Sequence, residues 1–301
     1  MRPMLRLAAL LSALVLAACS SPAPASRRPV AAATIPPLAD LVAGVAGPGW
    51  DVRTLIPAGT SPHVFEPTPR EVRLVAPARL VATVGAGYDA WAAKLAAACA
   101  SQARLFDAGR AAGIEAAEGG EAHDGHEHGD LGHDPHWWLS PVLAAKVLPS
   151  LAAEFSALDP DGAAGYRERA AALAAGLRRL DAELEKTLRP VAGSPIVTAH
   201  AAWGYFADRY GLRPAASIEP APGREPSPRE IRDLVLVARR EGLRTLFTEP
   251  QFPEDAARVV AKEAGLRIAT VDPIGGPPGR ATYDELLRFN ARAFRDGLGI
   301  R

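Results

Sequence analysis

Short runs of apolar and β-branched residues alternate along the chain with longer segments in which apolar residues recur every three or four positions. The short runs predict buried strands, and the longer segments predict amphipathic helices. This alternation is typical of an α/β fold with mainly parallel strands rather than of a β-sandwich. The predicted strands, each followed by a turn or a Gly/Pro signal, are Val52–Ile56, Leu80–Val84, Pro195–Thr198, Thr245–Thr248 and Leu266–Val271.

One helical pattern is much longer than the others and runs from Asp161 to Leu188, with Pro190 ending it. At 1.5 Å per residue this helix would be about 40 Å long, enough to run along both halves of a two-lobed protein. Periodicity alone fits an interlobe connector and an ordinary packing helix equally well. The leucines that share one stripe of the helix are Leu173, Leu177, Leu180 and Leu184.

The N-terminus has the pattern of an export signal, because two arginines precede the apolar run Leu7–Leu16, which is too short to span a bilayer. The run ends in Leu16-Ala17-Ala18-Cys19, which resembles a bacterial lipoprotein signal. We therefore expect residues 1–18 to be removed, Cys19 to carry lipid, and residues 19–28 to form a tether. An ordinary cleavage site with a chance cysteine is the alternative. The protein is expected in the periplasm or at the cell surface, attached to the membrane through this lipid alone.

Charge and cysteine content narrow the classes of ligand. Lys plus Arg and Asp plus Glu are balanced at 34 each over 301 residues, and no long run of one sign occurs, so we expect no nucleic-acid partner. Apart from Cys19 the only cysteine is Cys99. The mature chain therefore has no intramolecular disulfide and no thiolate metal site, and a metal would need histidine and carboxylate ligands.

Five of the seven histidines fall between positions 123 and 136. Four of them belong to a Gly-, Glu- and His-rich segment, residues 114–133, which has too few apolar residues to pack and is predicted to be a mobile loop. Neutral imidazole is a common zinc ligand, so the density of histidines indicates metal binding. These loop histidines are His123, His126, His128 and His133.

Other polar residues lie at or just beyond the ends of predicted strands. His63 follows the first predicted strand in a proline-bounded loop, His200 follows the third, Glu249 the fourth, and Asp272 the fifth. Open parallel sheets bind ligands at this carboxyl edge. Taken singly, each histidine could be a structural residue and Asp272 a turn residue. Glu249 and Glu66 could cap a helix, bind an ion, or orient an ion's ligand, and we favour the last role.

Five motifs spread over nearly the whole mature chain resemble one family. The chain is similar to the substrate-binding proteins of ABC importers for zinc and manganese, the ZnuA-like and TroA-like group of metal receptors. The motifs are Ser61-Pro62-His63-Val64-Phe65-Glu66-Pro67, Asp134-Pro135-His136-Trp137-Trp138-Leu139, Thr198-Ala199-His200-Ala201-Ala202-Trp203-Gly204-Tyr205, Phe247-Thr248-Glu249-Pro250-Gln251-Phe252 and Val271-Asp272-Pro273-Ile274-Gly275.

The resemblance implies a fold with two α/β lobes, each with a central, mainly parallel sheet flanked by helices, joined by one long interlobe helix. The N-terminal metal-binding lobe would cover residues 29–160, the linker helix 161–189, and the C-terminal metal-binding lobe 190–301. Motion between the lobes would then be limited.

The resemblance also implies that the metal ligands are His63, His136, His200 and, as the carboxylate, Asp272. Three imidazoles and one carboxylate suit tetrahedral Zn²⁺ better than manganese, which favours oxygen ligands. We therefore expect a monomeric zinc receptor with one high-affinity site, weak additional zinc sites in the loop, and a membrane permease as partner. A manganese or iron receptor of the same fold is the first alternative.

Two alternatives come from other functional classes. A zinc hydrolase would need an open coordination position and a general base, and its usual motifs are absent from the sequence, so we expect no enzymatic activity. An adhesion or structural lipoprotein would leave the five motifs unexplained.

Overall fold

The computed structural model describes residues 28–100, 102–114, 134–219 and 223–299. The predicted signal segment, Cys19, and the loop histidines His123, His126, His128 and His133 lie outside the described residues.

The described residues contain eight strands in two parallel four-stranded sheets, which confirms the predicted fold class. In the first sheet the order is β2-β1-β3-β4 and in the second it is β6-β5-β7-β8. The strands are β1 (Val30–Ala33), β2 (Asp51–Thr54), β3 (Ala78–Thr83), β4 (Arg104–Asp107), β5 (Pro195–Thr198), β6 (Arg213–Ser217), β7 (Thr245–Thr248) and β8 (Arg267–Thr270).

Helices connect successive strands and cover the sheets, as parallel pairing requires. They are α1 (Pro36–Ala46), α2 (Pro69–Val75), α3 (Ala90–Cys99), α4 (Ala108–Ala112), α5 (Pro141–Leu158), α6 (Ala163–Leu188), α7 (Gly204–Tyr210), α8 (Pro228–Arg240), α9 (Asp255–Ala264) and α10 (Tyr283–Leu298).

All five predicted strands are present. Two have the predicted bounds, and the other three differ from them by one or two residues at each end. The prediction missed β1, β4 and β6, which have weak strand signals. Strand β1 is Val-Ala-Ala-Ala, and alanine has little preference for strands. Strands β4 and β6 are edge strands with mostly exposed or half-buried residues.

Helix α6 is the predicted long helix and joins the two lobes. It starts at Ala163 rather than Asp161, because a 3₁₀ turn over Pro160–Gly162 precedes it. Its apolar stripe packs into the main core, with Leu177, Leu180 and Leu184 each 1% exposed.

Polar contacts fix α6 to both lobes. Near its start, the Arg169 guanidinium donates hydrogen bonds to the carbonyls of Val45 and Ala46 at the end of α1 (2.8 and 3.0 Å). Further along, Asp181 accepts two hydrogen bonds from Arg209 in α7 (2.9 and 2.6 Å). A helix held at both halves restricts how far the lobes can rotate.

Helix α5 is long and apolar enough to cross a membrane by length and composition alone. In this fold its inner face packs in the core, where Leu148, Leu151 and Phe155 are fully buried. This burial is typical of the core helix of a globular lobe.

Candidate metal centre

Three histidines that are far apart in sequence converge between the lobes. The Nε2 atom of His136 lies 3.2 Å from that of His63 and 3.4 Å from that of His200. One ring nitrogen from each residue lies within 4.8 Å of the other two. Among the described residues, this is the one group of three or more His, Cys, Asp or Glu side chains compact enough to hold a metal ion.

Each histidine is held at the carboxyl edge of a sheet or in a loop beside it. His63 lies in the 3₁₀ turn Pro62–Val64, after β2, and His136 immediately precedes the 3₁₀ turn Trp137–Leu139, so both belong to the first lobe. His200 follows β5 of the second lobe. The cluster is therefore complete only when both lobes contribute.

Burial keeps the imidazoles of His63 and His136 neutral, which is the form that binds metal. Burial lowers the pKa of His63 to about 2, with His136 and His200 acting in the same direction. Burial also lowers the pKa of His136, although its hydrogen bond with Asp134 opposes the shift.

Two of the imidazoles have a carboxylate behind them. The Nδ1 atom of His136 lies 2.6 Å from Asp134 Oδ1, which also accepts the backbone N–H of His136 at 2.9 Å. The Nδ1 atom of His200 lies 2.6 Å from Glu249 Oε2, although the N–H is not well aligned with that oxygen. The indole of Trp203 donates to the other oxygen of Glu249 at 3.0 Å. Such carboxylates orient metal-binding imidazoles and raise their basicity.

Asp272 is buried and does not belong to the compact histidine group. Its Oδ1 accepts hydrogen bonds from Gln251 Nε2 (2.9 Å) and from the backbone amides of Ile274 and Gly275 (3.0 and 2.9 Å). Its Oδ2 lies 3.0 Å from Arg280 Nε, whose N–H is not aligned with it. The ligand role of Asp272 stays a prediction.

The two glutamates that the sequence singled out are placed very differently. Glu249 is 1% exposed and lies against His200. Glu66 is exposed, and it forms no hydrogen bond or ion pair with any residue in the part of the chain that the structure describes.

Sequence reasoning missed several residues that contact the predicted ligands. Asp134 could have been found, because it lies two residues before His136 in the Asp-Pro-His motif and can accept that residue's N–H. Arg280 lies in a segment rich in Gly and Pro, and Tyr88 lies in a loop after β3, far in sequence from every histidine. No local pattern marked either residue.

The two lobes also bond directly next to the histidines. The indole of Trp138, two residues after His136, donates to the carbonyl of Pro273 at 2.8 Å. The Tyr283 hydroxyl donates to the carbonyl of Trp138 at 2.6 Å, and the Tyr283 N–H donates to Asp40 at 2.9 Å. These bonds fix the spacing between the histidines of the two lobes.

Proteins similar in sequence include zinc-binding and zinc-uptake proteins. The zinc-binding lipoprotein AdcA of Streptococcus pneumoniae serotype 4 is 31% identical over 279 residues, which is 89% of this chain and 54% of AdcA. The chain thus spans about half the length of this streptococcal relative. The high-affinity zinc uptake system protein ZnuA of Bacillus subtilis (strain 168) is 27% identical over 263 residues, covering 83% of this chain and 82% of that protein.

Solved structures share the fold over nearly all of their length. A crystal structure of ZnuA superposes with a TM-score of 0.77 at 28% identity, covering 91% of this chain and 100% of that one. The protein FpvC of Pseudomonas aeruginosa, solved in complex with Mn²⁺, gives a TM-score of 0.74 at 25% identity, covering 90% and 98% of the two chains. The sequence profile of the zinc-uptake complex component A, periplasmic, matches residues 32–297. The chain therefore belongs to this ZnuA family.

Proposed function

We propose that this protein is an extracytoplasmic receptor that captures Zn²⁺ and delivers it to the membrane permease of an ABC importer. The observation that carries the proposal is the convergence of three imidazoles from two lobes on one point. Three neutral nitrogen donors suit Zn²⁺ and leave a fourth tetrahedral position for an oxygen. The names of the relatives, which describe zinc binding and zinc uptake, support the same cargo.

The proposed fourth ligand is Asp272, whose carboxylate would exchange its contact with Arg280 for one with the ion. Its Oδ1 accepts hydrogen bonds from Gln251 and from two backbone amides. Among the described residues, its Oδ2 has one partner, the poorly aligned guanidinium of Arg280. We propose that Zn²⁺ binds first to the histidines and then takes Oδ2 from Arg280. The guanidinium would thus compensate the charge of the buried carboxylate whenever the ion is absent.

A manganese receptor is the second candidate, because FpvC, which has the same fold, was solved with Mn²⁺. The donor set argues against this cargo, since nitrogen ligands bind Zn²⁺ more tightly than Mn²⁺. Competition titration of the two ions on one sample should show preference for zinc by a factor of at least about 100.

The arrangement does not favour hydrolysis. A zinc hydrolase needs a carboxylate or imidazole free to act as general base beside the ion. Asp134 and Glu249 both lie against ligand imidazoles instead. In the proposed cycle no bond is made or broken except those to the metal.

The proposal includes two segments outside the described residues. Lipid at Cys19 would hold a monomeric receptor at the membrane, and the loop histidines would bind zinc weakly and raise its local concentration. Cys19→Ala should abolish labelling by radioactive palmitate and release the protein from membranes. Deletion of residues 121–132 should slow uptake at scarce zinc while leaving the affinity of the main site unchanged.

Thermal unfolding with zinc and with chelator tests the main claim. Zinc at about a thousandfold above its Kd should add about 4 kcal/mol to the free energy of unfolding, which corresponds to a shift in Tm on the order of 10 °C. His63→Ala, His136→Ala and His200→Ala should each lose most of this shift. His126→Ala in the loop is the matched control and should keep it. Equal melting curves with zinc and chelator for the wild-type chain would reject the proposed function.

A further inference from the structure

The loop between β3 and α3, residues 84–89, is held in place by hydrogen bonds to its last residue, Asp89. The carboxylate of Asp89 accepts hydrogen bonds from the backbone amides of Val84 (2.6 Å) and Gly85 (3.1 Å) and from the hydroxyl of Thr34 (2.5 Å). The carbonyl of Val84 in turn accepts the indole N–H of Trp137, the residue after His136, at 3.0 Å. The loop is thus connected to the histidine that lies at the middle of the cluster.

The same loop has a backbone conformation that most residues avoid. Gly85, Ala86 and Gly87 have φ values of 82°, 50° and 81°, and Ala86 is the one non-glycine residue with positive φ in the described ranges. A side chain at Gly85 would also meet Asp107 Oδ1 at 2.0 Å. Left-handed backbone at a non-glycine residue costs about 1–3 kcal/mol and occurs preferentially at functional sites.

What this loop presents to the centre is Tyr88. Its ring lies edge-on to His63 (4.7 Å between centroids) and to His136 (5.5 Å), and its third aromatic neighbour is Trp138 at 5.3 Å. Burial raises the pKa of its hydroxyl well above the usual range, and the charges of Asp89, Glu249 and Asp134 act in the same direction. The hydroxyl therefore stays protonated and can donate a hydrogen bond.

The Tyr88 hydroxyl has no hydrogen-bond partner among the described residues, although the residue is only 9% exposed. An unpaired buried hydroxyl costs about 1–3 kcal/mol, so buried polar groups are nearly always paired. The strained loop holds this unpaired hydroxyl on a ring that contacts His63 and His136. This placement indicates a partner that arrives with the ion.

We propose that Tyr88 donates a hydrogen bond to the oxygen atom that occupies the fourth coordination position of the bound zinc. This inference rests on the proposed function and adds a positioning residue to its site. The oxygen belongs either to the carboxylate of Asp272 or to solvent. The hydrogen bond orients that oxygen and retains it on the ion.

Tyr88→Phe in the full-length protein is the primary test, because it removes the hydroxyl and keeps the ring. The zinc Kd, measured by competition with a chromophoric chelator, should rise about tenfold, as for other groups that orient metal ligands. The thermal stability of the metal-free protein should stay the same or increase, since the lost hydroxyl had no partner. The visible spectrum of the Co²⁺-substituted protein should also change, because the fourth ligand sets part of the ligand field.

Tyr210→Phe is the matched control. The hydroxyl of Tyr210 is also buried but bonds to Asp181 at 3.1 Å, away from the histidines. This variant should lower the stability of the metal-free protein and leave the zinc Kd and the Co²⁺ spectrum unchanged.

A double-mutant cycle identifies the oxygen. Asp272→Ala combined with Arg280→Gln removes both members of their ion pair and so leaves no buried charge without a partner. If Asp272 supplies the oxygen, Tyr88→Phe should have no further effect in this background. If solvent supplies it, the tenfold effect should persist.

Wild-type zinc affinity and an unchanged Co²⁺ spectrum in Tyr88→Phe would overturn the inference. That outcome differs from failure of the proposed function, in which the wild-type protein itself would show no zinc-dependent stabilisation.

Discussion

The two lobes share one strand topology but use its central position differently. In each sheet the first strand pairs on one side with the second strand and on the other side with the third, so the strand order changes direction between the two inner strands. These inner strands are β1 and β3 in the first lobe and β5 and β7 in the second. Ligands bind preferentially at this switch point. In the second lobe it carries His200 and Glu249, whereas in the first lobe it carries the hydrogen-bonded pair Thr34 and Asp89. The second lobe thus presents one of the clustered histidines there, and the first lobe positions a loop.

The lobes also support their imidazoles by different routes. In the first lobe, His136 is oriented by Asp134 from the same loop, two residues away. In the second, His200 is paired with Glu249, which follows the neighbouring strand β7. His63 has no carboxylate partner within the described ranges and packs against Tyr88. The carboxylate that orients the imidazole thus comes from a residue close in sequence in the first lobe and from a neighbouring strand of the sheet in the second.

The largest loss of zinc affinity is expected from removing the carboxylate of Glu249, which supports the imidazole of the second lobe. Glu249→Gln keeps the shape and the bond from Trp203 but removes the charge behind His200, in a position where the side chain has no exposure. Zinc affinity should fall about 100-fold. Asp134→Asn, at a side chain that is 11% exposed, should cost only about tenfold. Competition titration measures both, and equal losses would show that the two routes of support are equivalent.

Arg280→Gln should have the opposite effect on affinity. The variant leaves the buried carboxylate of Asp272 without its cationic partner, so the metal-free protein should lose about 2 kcal/mol of stability. If zinc takes the place of the guanidinium, this cost disappears in the bound state, and affinity should rise about thirtyfold. Urea unfolding with chelator, together with titration, gives both values. A stability loss without a gain in affinity would show that Asp272 does not bind the ion.

The sequence predicted the fold class well, because the strong strands and the long helix have clear patterns. Strands β5 and β7 consist of apolar and β-branched residues bounded by turns, and they were predicted with correct bounds. Strand β1 was missed because its burial comes from its central place in the sheet, which three alanines cannot signal. Edge strand β6 contains Pro214, which argues against a strand.

The sequence predicted the individual histidines of the centre but not the pairs of side chains around them. His63, His136 and His200 were named from motifs, and the structure brings them together. Pairing depends on which side chains the folded lobes bring together, so no sequence spacing could show that Asp272 faces Arg280. The strained backbone at Ala86 is equally invisible, since alanine gives no signal for positive φ.

Acid sensitivity should distinguish His63 from the histidines outside the centre. Its native pKa of about 2 lies below the ordinary value of 6.5. Below about pH 6.5 the unfolded chain therefore binds a proton that the native state does not, and the free energy of unfolding decreases as pH falls. The contribution of one such group is at most about 1.4 kcal/mol per pH unit.

Urea unfolding of the metal-free protein between about pH 7 and pH 5.5 measures this slope. His63→Gln should make it shallower, and His126→Gln in the loop should leave it unchanged. An identical slope in His63→Gln would show that His63 does not resist protonation in the native protein.

The smallest effects should come from the contacts that hold α6 to each lobe. Arg169→Ala removes two partly buried bonds to carbonyls at the end of α1 and should cost about 1–2 kcal/mol. Arg288→Ala removes an exposed pair with Glu183 in α6 and should cost less than about 1 kcal/mol. Neither should change zinc affinity more than about twofold, because Trp138 and Tyr283 also fix the lobes next to the histidines. A larger change in the Kd of Arg169→Ala, measured by competition titration, would mean that the helix itself sets the distance between His136 and His200.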